Sequence, residues 1–488
     1  MSMTDRRVLG TALRREISSG VLIRCAALGV SYLRGIVLVS VISRGLGQAG
    51  YGMWSQVVAS AALLAPLLSV SLSSAATRYF PAARSHGELR QQVHGQLLFT
   101  AVVSAAVLAL CSTQLGSLSG ILFGSPDFQA EARLALLLAG VHALILVGRS
   151  YFRGTNRVGT YSSIEIAQLV AELGVIAVLV ARGTPSLATI LRGIVGVDAA
   201  ILAGILVGIT AEVGPPTLPR WATMRRDLRF SIPLIPNAVL LWVMNLSDRY
   251  VITHVRGLEE AGMYSAAYTV GSVVNAVMLP LSFGFAALAS RLWEEGDRGA
   301  VARYIRTILK YYALLALPAG VGLVELAPSV SRLLTGSDAA FGSDIMLFIV
   351  LGLGVFSVSM VTSYPLNLAE RTAWVLPISL LAAGMNLGLN LLLVPRMGAL
   401  AAALTTFASY SLRTLALNAL ARRCLRYSVD WATLLRATAA AAIMWAAIHY
   451  VPWEGRAWVA GKIALGVVVY FAAVGVLGQF RRSPSVSM

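Results

Sequence analysis

Residues 20–55, which read GVLIRCAALGVSYLRGIVLVSVISRGLGQAGYGMWS, decide the fold. Residues 20–43 carry only Arg24 and Arg34 as charged side chains. They are long enough to cross a bilayer as a helix, which takes about 20 mostly apolar residues. A glycine-rich turn follows, and a second apolar run begins directly after it. The stretch predicts two membrane helices joined by a short turn, with two cations inside the first.

The same apolar pattern continues along the whole chain and predicts an all-α, polytopic membrane protein with about 14 transmembrane helices. The predicted spans are 20–43, 53–73, 95–112, 131–149, 160–182, 187–210, 230–252, 263–287, 307–330, 343–364, 373–394, 397–419, 431–451 and 457–479.

Composition excludes a soluble protein of this length. Of the 488 residues, 57% are hydrophobic and only 12% are charged, whereas soluble domains carry about 25% charged residues. The net charge of +17 comes from short loops between apolar runs, which favours membrane orientation over nucleic-acid binding. The cysteines Cys25, Cys111 and Cys424 are few and widely spaced, so we expect no disulfide framework and no metal site.

The distribution of basic residues predicts the orientation. With the N-terminus in the cytoplasm, cytoplasmic segments hold about 25 Lys and Arg residues and the opposite loops about six. Both termini are then expected to be cytoplasmic, and the number of helices is even. The first span lacks a cleavage site and is read as a retained helix, not a signal peptide.

The glycine-rich turn occurs twice. Residues 44–55 read RGLGQAGYGMWS, and residues 256–265 read RGLEEAGMYS, an offset of 212 residues that falls to 210 after a small gap. Six predicted helices lie in each offset, so the copies share one orientation. The repeat therefore predicts two parallel, pseudo-symmetric six-helix lobes, a known plan of transporters.

This symmetry gives expected domain boundaries. They are a cytoplasmic segment at 1–19, an N-terminal lobe at 20–210, a cytoplasmic linker at 211–229, a C-terminal lobe at 230–420, two additional helices at 421–480 and a cytoplasmic tail at 481–488.

Several segments, in this order and spacing, resemble the polysaccharide flippases, which include the O-antigen and exopolysaccharide flippases of the multidrug/oligosaccharidyl-lipid/polysaccharide exporter superfamily. The segments are SRGLGQAGYG (43–52), SLSSAATRYF (71–80), FSIPLIPNAVLLWVMNLSDRYVI (230–252), GLEEAGMYSAAYTVG (257–271) and NLGLNLLLVPRMGALAAALTTFASY (386–410). The resemblance covers residues 20 to about 420, nearly the whole chain.

The resemblance implies a V-shaped bundle of two lobes around a central cavity in the bacterial inner membrane. The implied substrate is an undecaprenyl-diphosphate-linked oligosaccharide, moved to the periplasmic leaflet by alternating access. No cofactor is expected, and a proton gradient, a sodium gradient and the membrane potential all stay open as the driving force. Expected partners are this lipid-linked glycan, membrane lipids, and a polysaccharide polymerase with its chain-length regulator; no nucleic acid is expected.

Charges within predicted spans are candidates for function because they are costly in a bilayer. At about 100° per residue, Arg24 and Arg34 lie on one broad polar face of the first helix. A diphosphate would neutralise both, since guanidinium groups bind phosphate bidentately. The alternative is that these side chains, Arg24 above all, extend to the cytoplasmic interface.

The seventh predicted helix carries a second polar set. Asn237, Asn245 and Asp248 fall within about 80° of arc on this helix, and with Arg249 they are candidates for lining the cavity. Asp248 and Arg249 point about 100° apart, so we expect them to be poorly placed for each other, with Asp248 free to reach an arginine of the first helix. The alternative is an interfacial charge near the helix end.

The fifth and sixth predicted helices supply candidates for ion coupling: Glu165, Glu172 and Asp198. Tyr161, Glu165, Gln168 and Glu172 share one helix face. Buried carboxylates can exchange protons or bind sodium near neutral pH. The alternative is a structural polar seam.

The eighth predicted helix presents Tyr264, Tyr268 and Asn275 at helical spacing. These side chains suit sugar binding, and they equally suit helix packing. His142 is read as a packed residue. No Walker A motif, metal spacing or nucleophile elbow occurs, so neither an ATP-driven pump nor catalysis is expected.

Three alternatives to the flippase stay open. A multidrug antiporter would need an acidic or apolar cavity, which the arginines of the first helix oppose. A flippase for the peptidoglycan precursor would differ in sugar and peptide recognition. A scaffold or glycosyltransferase is opposed by the short loops.

Overall fold

A computed structural model describes residues 3–83, 85–183, 186–282, 285–336, 341–453 and 458–478, with side chains from Gly29 onward apart from Ala287. The side chain of Arg24 and the expected tail at 481–488 lie outside the described residues. Within the described residues the chain is helical and has no strand, which confirms the all-α fold.

The helices are labelled α1 to α19 in chain order. They are α1 Met3–Leu68, α2 Leu72–Tyr79, α3 His86–Ser112, α4 Leu115–Phe123, α5 Gln129–Gly154, α6 Val158–Ala181, α7 Leu187–Val213, α8 Trp221–Ser231, α9 Ile235–Arg256, α10 Leu258–Gly271, α11 Val273–Ser282, α12 Phe285–Glu294, α13 Arg298–Thr335, α14 Ser343–Thr362, α15 Pro365–Leu368, α16 Val375–Met397, α17 Ala399–Cys424, α18 Trp431–His449 and α19 Val459–Val476.

Twelve helical stretches of the described chain are long and apolar enough to span a membrane. The count is close to the 14 predicted, and the difference has two sources. The first two predicted spans form one stretch within α1. The helix α17 is not among the twelve, because its serines, its threonines and Arg413 lower its mean hydropathy.

The long helix α1 is two helices joined at Gly47. A straight helix of 66 residues would be roughly 99 Å long, about three times the hydrocarbon thickness of a bilayer. At Gly47 the backbone leaves the helical region, with φ of 74° and ψ of 180°, a conformation that glycine adopts at little cost. This break separates the two predicted spans within the glycine-rich turn.

The two copies of the glycine-rich turn touch each other through their backbones. A Cβ atom on Gly52 would lie 2.0 Å from the carbonyl oxygen of Leu258, and one on Gly262 would lie 2.1 Å from that of Gln48. The contact is reciprocal, because Gly52 and Gly262, and likewise Gln48 and Leu258, are 210 residues apart. Only glycine at both positions permits this approach.

The chain separates into two compact units, residues 1–262 and 263–488, with the boundary inside α10. The expected linker at 211–229 includes the amphipathic helix α8. The lobe boundaries drawn from the repeat stay a prediction.

The helices of the first unit pack through small residues and through a larger buried cluster. Ala61 and Ala65 of α1 face Ala139 and Ala143 of α5, which lets the two helices approach closely. A larger buried cluster joins α2, α3, α5, α7 and α8, and it includes Leu72, Leu97, Phe152, Ile209 and Met224. The alanine contact holds α5 beside α1, and the larger cluster joins α5 to α7.

The second unit contains a polar seam between α16 and α17. The amide of Asn390 donates to Asn386 at 3.2 Å, and the hydroxyl of Thr405 donates to Asn390 at 2.7 Å. All three side chains are buried. Amide groups between membrane helices stabilise packing in this way.

Candidate functional site

Arg34 lies within the membrane-spanning part of α1 and forms an ion pair with Glu172 of α6. The Arg34 side chain is 23% exposed and that of Glu172 is 3% exposed. The Nε of Arg34 is buried and has no hydrogen-bond partner within the described chain. The carboxylate of Glu172 therefore neutralises the charge of Arg34, while N–H groups of the guanidinium remain available to donate to another acceptor.

Asp198 of α7 completes a cluster with Glu172. It is fully buried, and it accepts a hydrogen bond of 2.8 Å from the Nε2 of Gln168. The Nε2 of His142 lies 2.9 Å from its other carboxylate oxygen. Helices α1, α5, α6 and α7 therefore bring one guanidinium, one imidazole, one amide and two carboxylates together.

The charge of this cluster depends on His142. Arg34 offsets the charge of Glu172, so Asp198 leaves one negative charge when His142 is neutral and none when His142 is protonated. Three side-chain atoms that could bind a cation, one from each of His142, Glu172 and Asp198, lie within 4.8 Å of one another. Such a set can hold a proton or a cation, although Arg34 competes for Glu172.

We expect Asp198→Ala to destabilise the folded protein. The change removes both acceptor oxygens, which leaves the buried amide of Gln168 without its partner at a cost of about 1–3 kcal/mol. Glu260→Gln is the control, because it weakens a partly exposed ion pair with Arg256. Thermal unfolding of both purified variants in detergent measures the difference; equal melting temperatures would contradict the structural role.

Glu165 belongs to a different contact from Glu172. Arg149 of α5 donates to it at 2.7 Å, and the Arg149 guanidinium lies 4.4 Å from the ring centroid of Tyr161. The shared helix face predicted for Tyr161, Glu165, Gln168 and Glu172 is thus divided between two ion-pair clusters along α6.

The expectation that Asp248 and Arg249 are poorly placed for each other is wrong. The Nη1 of Arg249 lies 3.2 Å from Asp248, and the backbone N–H of Arg249 donates to the same oxygen at 2.8 Å. The long arginine side chain turns back along α9, where Nη1 also donates to the carbonyl of Asn245 at 2.9 Å. Both charged side chains are buried. The predicted pairing of Asp248 with an arginine of the first helix stays a prediction.

Polar side chains join α9 to the second half of α1. The amide of Gln56 donates to the carbonyl of Arg249 at 3.0 Å, and Ser60 lies 2.6 Å from the hydroxyl of Tyr250. Asn237 lies near the start of α9, half-buried. Neither Gln56 nor Ser60 was a sequence candidate, because single polar residues in an apolar helix are common in packing.

In the second unit, the candidates for sugar binding take part in packing. Tyr264 is fully buried. The hydroxyl of Tyr268 lies 3.0 Å from that of Tyr410, and Asn275 accepts a hydrogen bond of 2.8 Å from Ser357. In this conformation the three side chains pack between helices, as the alternative to sugar binding expected.

Sequence reasoning missed the part played by His142. It was read as a packed residue because one histidine on an apolar helix carries no spacing signal. Its partner Asp198 was a candidate, and a search for a second titratable group at a similar depth on a neighbouring helix could have found it.

Comparisons with known proteins agree with this architecture. The sequence model of a family described as "Polysaccharide biosynthesis protein" matches residues 17–283, and that of the family MatE matches residues 233–392. A probable multidrug resistance protein NorM from Caulobacter vibrioides is 27% identical over 198 residues, which cover 39% of this chain and 42% of the relative. The match therefore spans less than half of that relative's length.

Two solved structures share the fold. A lipid II flippase MurJ in an inward closed conformation matches with a TM-score of 0.78 at 15% identity, covering 94% of this chain and 99% of that one. A multidrug resistance MATE family transporter of the MOP superfamily, in an inward-facing conformation, matches with a TM-score of 0.62 at 15% identity, covering 83% and 97%. One of these two structures is of a flippase and the other is of a transporter.

Proposed function

Because this chain belongs to the polysaccharide biosynthesis protein family of MOP-superfamily transporters, we propose that it flips undecaprenyl-diphosphate-linked oligosaccharides across the bacterial inner membrane. The glycan would serve surface polysaccharide or exopolysaccharide synthesis. Both termini would lie in the cytoplasm, and a polymerase and its chain-length regulator would act on the product.

The observation that carries the proposal is Arg34. It is a cation inside a membrane-spanning helix, partly accessible, with a carboxylate partner on another helix and an unpartnered Nε. Intramembrane charges of this kind mark substrate pathways. A diphosphate offers several anionic oxygens in the geometry that a guanidinium group binds best. Arg24 is proposed to add positive charge to the same pathway, and Arg249 is proposed to do so when its pair with Asp248 opens during transport.

When no substrate is bound, Glu172 takes the place beside Arg34 that an anionic group of the substrate would occupy. While Arg34 is paired with Glu172, the carboxylate occupies a donor that a diphosphate oxygen would use. A proton or sodium ion taken up by Glu172 and Asp198 would release Arg34 to the substrate. This exchange couples the ion gradient to binding of the headgroup, and Glu165 is proposed to assist from the neighbouring cluster.

The other polar candidates are proposed to act later in the cycle. Asp248, Asn237 and Asn245 would form the polar wall beside Arg249 on α9. Tyr264, Tyr268 and Asn275 would reach the sugars only if transport opens the packing that now covers them.

Multidrug antiport is the second candidate function. The relative from Caulobacter vibrioides carries that name, and the buried carboxylates Glu172 and Asp198 could attract an organic cation. Arg34 opposes it, since a cation beside these carboxylates repels a cationic drug. Lipid II, the substrate named for the flippase of similar fold, would share the diphosphate requirement.

Binding to the purified full-length protein distinguishes flipping of diphosphate-linked lipids from multidrug antiport. Undecaprenyl diphosphate should bind, whereas undecaprenol and the cation ethidium should bind at least tenfold more weakly, since each 1.4 kcal/mol corresponds to about tenfold in Kd. Intrinsic tryptophan fluorescence can follow the titrations. Tighter binding of ethidium than of undecaprenyl diphosphate would contradict the flippase proposal and support multidrug antiport.

A further inference from the structure

A polar cavity of about 280 Å³ lies in the first unit, among α2, α5 and α6. Its walls include Ser73, Thr77, Arg149, Ser150, Arg153 and Tyr161. This volume is near the lower limit of small-molecule pockets, which begin at about 300 Å³. The cavity suits one compact polar group, and an oligosaccharide is too large for it.

Arg149 is held in the wall of this cavity. The face of the Tyr161 ring lies against its guanidinium at 4.4 Å, and Glu165 binds one Nη at 2.7 Å. Its Nε is buried and has no hydrogen-bond partner within the described chain. A guanidinium group fixed from two sides with an unsatisfied donor is ready to bind an acceptor with little loss of entropy.

Arg153 adds a second cation. It lies four residues after Arg149 on α5, which places both on one helix face. Its side chain is exposed and makes no hydrogen bond or ion pair with any described residue. With Glu165 offsetting one of the two arginines, the cavity has a net positive charge. Such a cavity favours an anion with several acceptor oxygens.

The opposite wall comes from the first turns of α2. Val70 and Ser71, just before this helix, have φ values of 49° and 53°, a conformation that is rare for a β-branched residue. This sharp turn redirects the chain after α1 and places Ser73 and Thr77 in the cavity wall. Hydroxyl groups opposite two guanidinium groups are donors and acceptors suited to phosphate oxygens.

We propose that this cavity is a second anion site, separate from Arg34, that binds a phosphate or diphosphate group. Glu165 and Glu172, which bind Arg149 and Arg34, are seven residues apart on α6, or roughly 10 Å along the axis. We propose that the site binds the substrate headgroup before Arg34 does, and this role rests on the proposed function. The binding of an anion in the cavity does not depend on the proposed function.

The test is a titration of the full-length protein in nonionic detergent with two probes, inorganic pyrophosphate and farnesyl diphosphate. Arg153→Gln should weaken binding by about tenfold or more, the usual loss for a charge-assisted hydrogen bond. Arg157→Gln is the matched control: it removes the same charge four residues later, where Arg157 pairs with Glu212 outside the cavity. We expect its affinity to stay within about twofold of the native protein.

The outcomes separate the site from its role. A loss for both probes in Arg153→Gln supports a site for phosphate groups from any source, and a loss for farnesyl diphosphate alone assigns it to lipid-linked diphosphates. Equal affinities of Arg153→Gln and Arg157→Gln for both probes would overturn the site, whether both variants keep the native affinity or both lose it. The same titration in Arg34→Gln/Glu172→Gln should retain the Arg153-dependent binding even if the flippase proposal fails.

Discussion

Replacing Arg34 and Glu172 together by glutamine should abolish transport of the lipid-linked oligosaccharide and leave the protein folded. The double change removes both members of the ion pair, so no buried charge loses its partner. Removing Arg34 alone would leave Glu172 unpaired, which costs about 3–5 kcal/mol and confuses loss of function with unfolding. Affinity for undecaprenyl diphosphate should fall about tenfold or more.

Glu172→Gln alone provides the matched control. It keeps Arg34, whose side chain is 23% exposed and tolerates loss of its partner better than the buried Glu172 would. Because no carboxylate then competes with the substrate, undecaprenyl diphosphate should bind more tightly than to the native protein, and the melting temperature shows whether the variant is folded. Transport should still fall, because release of the headgroup no longer follows from the return of the carboxylate. If Arg34→Gln/Glu172→Gln flips substrate at the native rate, Arg34 is not the headgroup site.

Gly52→Val should prevent accumulation of folded protein. A Cβ atom at this position would lie 2.0 Å from the carbonyl oxygen of Leu258, and backbone cannot move aside as a flexible side chain can. Overpacking against side chains already costs about 1–3 kcal/mol, and a clash with backbone at a helix crossing should exceed that. Gly262→Val should have the same effect, because its Cβ atom would lie 2.1 Å from the carbonyl oxygen of Gln48.

Gly45→Ala tests whether the clash is responsible. Gly45 lies in the same glycine-rich turn, but the nearest atom to its added Cβ would be 3.9 Å away. Its yield from membranes and its melting temperature should match those of the native protein. Normal yields of Gly52→Val would contradict the backbone contact between the two copies of the turn.

The membrane class and nearly all spans could be predicted, because hydropathy acts locally along the chain. The glycine-rich turn also had a local signal, and the reciprocal contact of Gly52 with Gly262 gives its glycines a physical reason. The break in α1 at Gly47 lies within the turn predicted between the first two spans.

Partners across helices were the hardest part to predict. Charge within apolar spans singled out Arg34, Glu172 and Asp198 as candidates. It did not predict that Glu172 would pair with Arg34 and Asp198 with His142. Those pairings depend on how α1, α5, α6 and α7 pack, which no single helix encodes. The error at Asp248 and Arg249 has another source: Cβ directions were considered without the length of the arginine side chain.

The most direct test of the central claim is translocation in proteoliposomes of the purified full-length protein. Undecaprenyl-diphosphate-linked oligosaccharide placed in one leaflet is followed by loss of access to an added glycosidase, in native and Arg34→Gln/Glu172→Gln protein. The account predicts rapid loss of access with the native protein and only the protein-free rate with the variant. Equal rates for native protein and protein-free liposomes, under both proton and sodium gradients, would contradict the claim that this chain flips diphosphate-linked glycans.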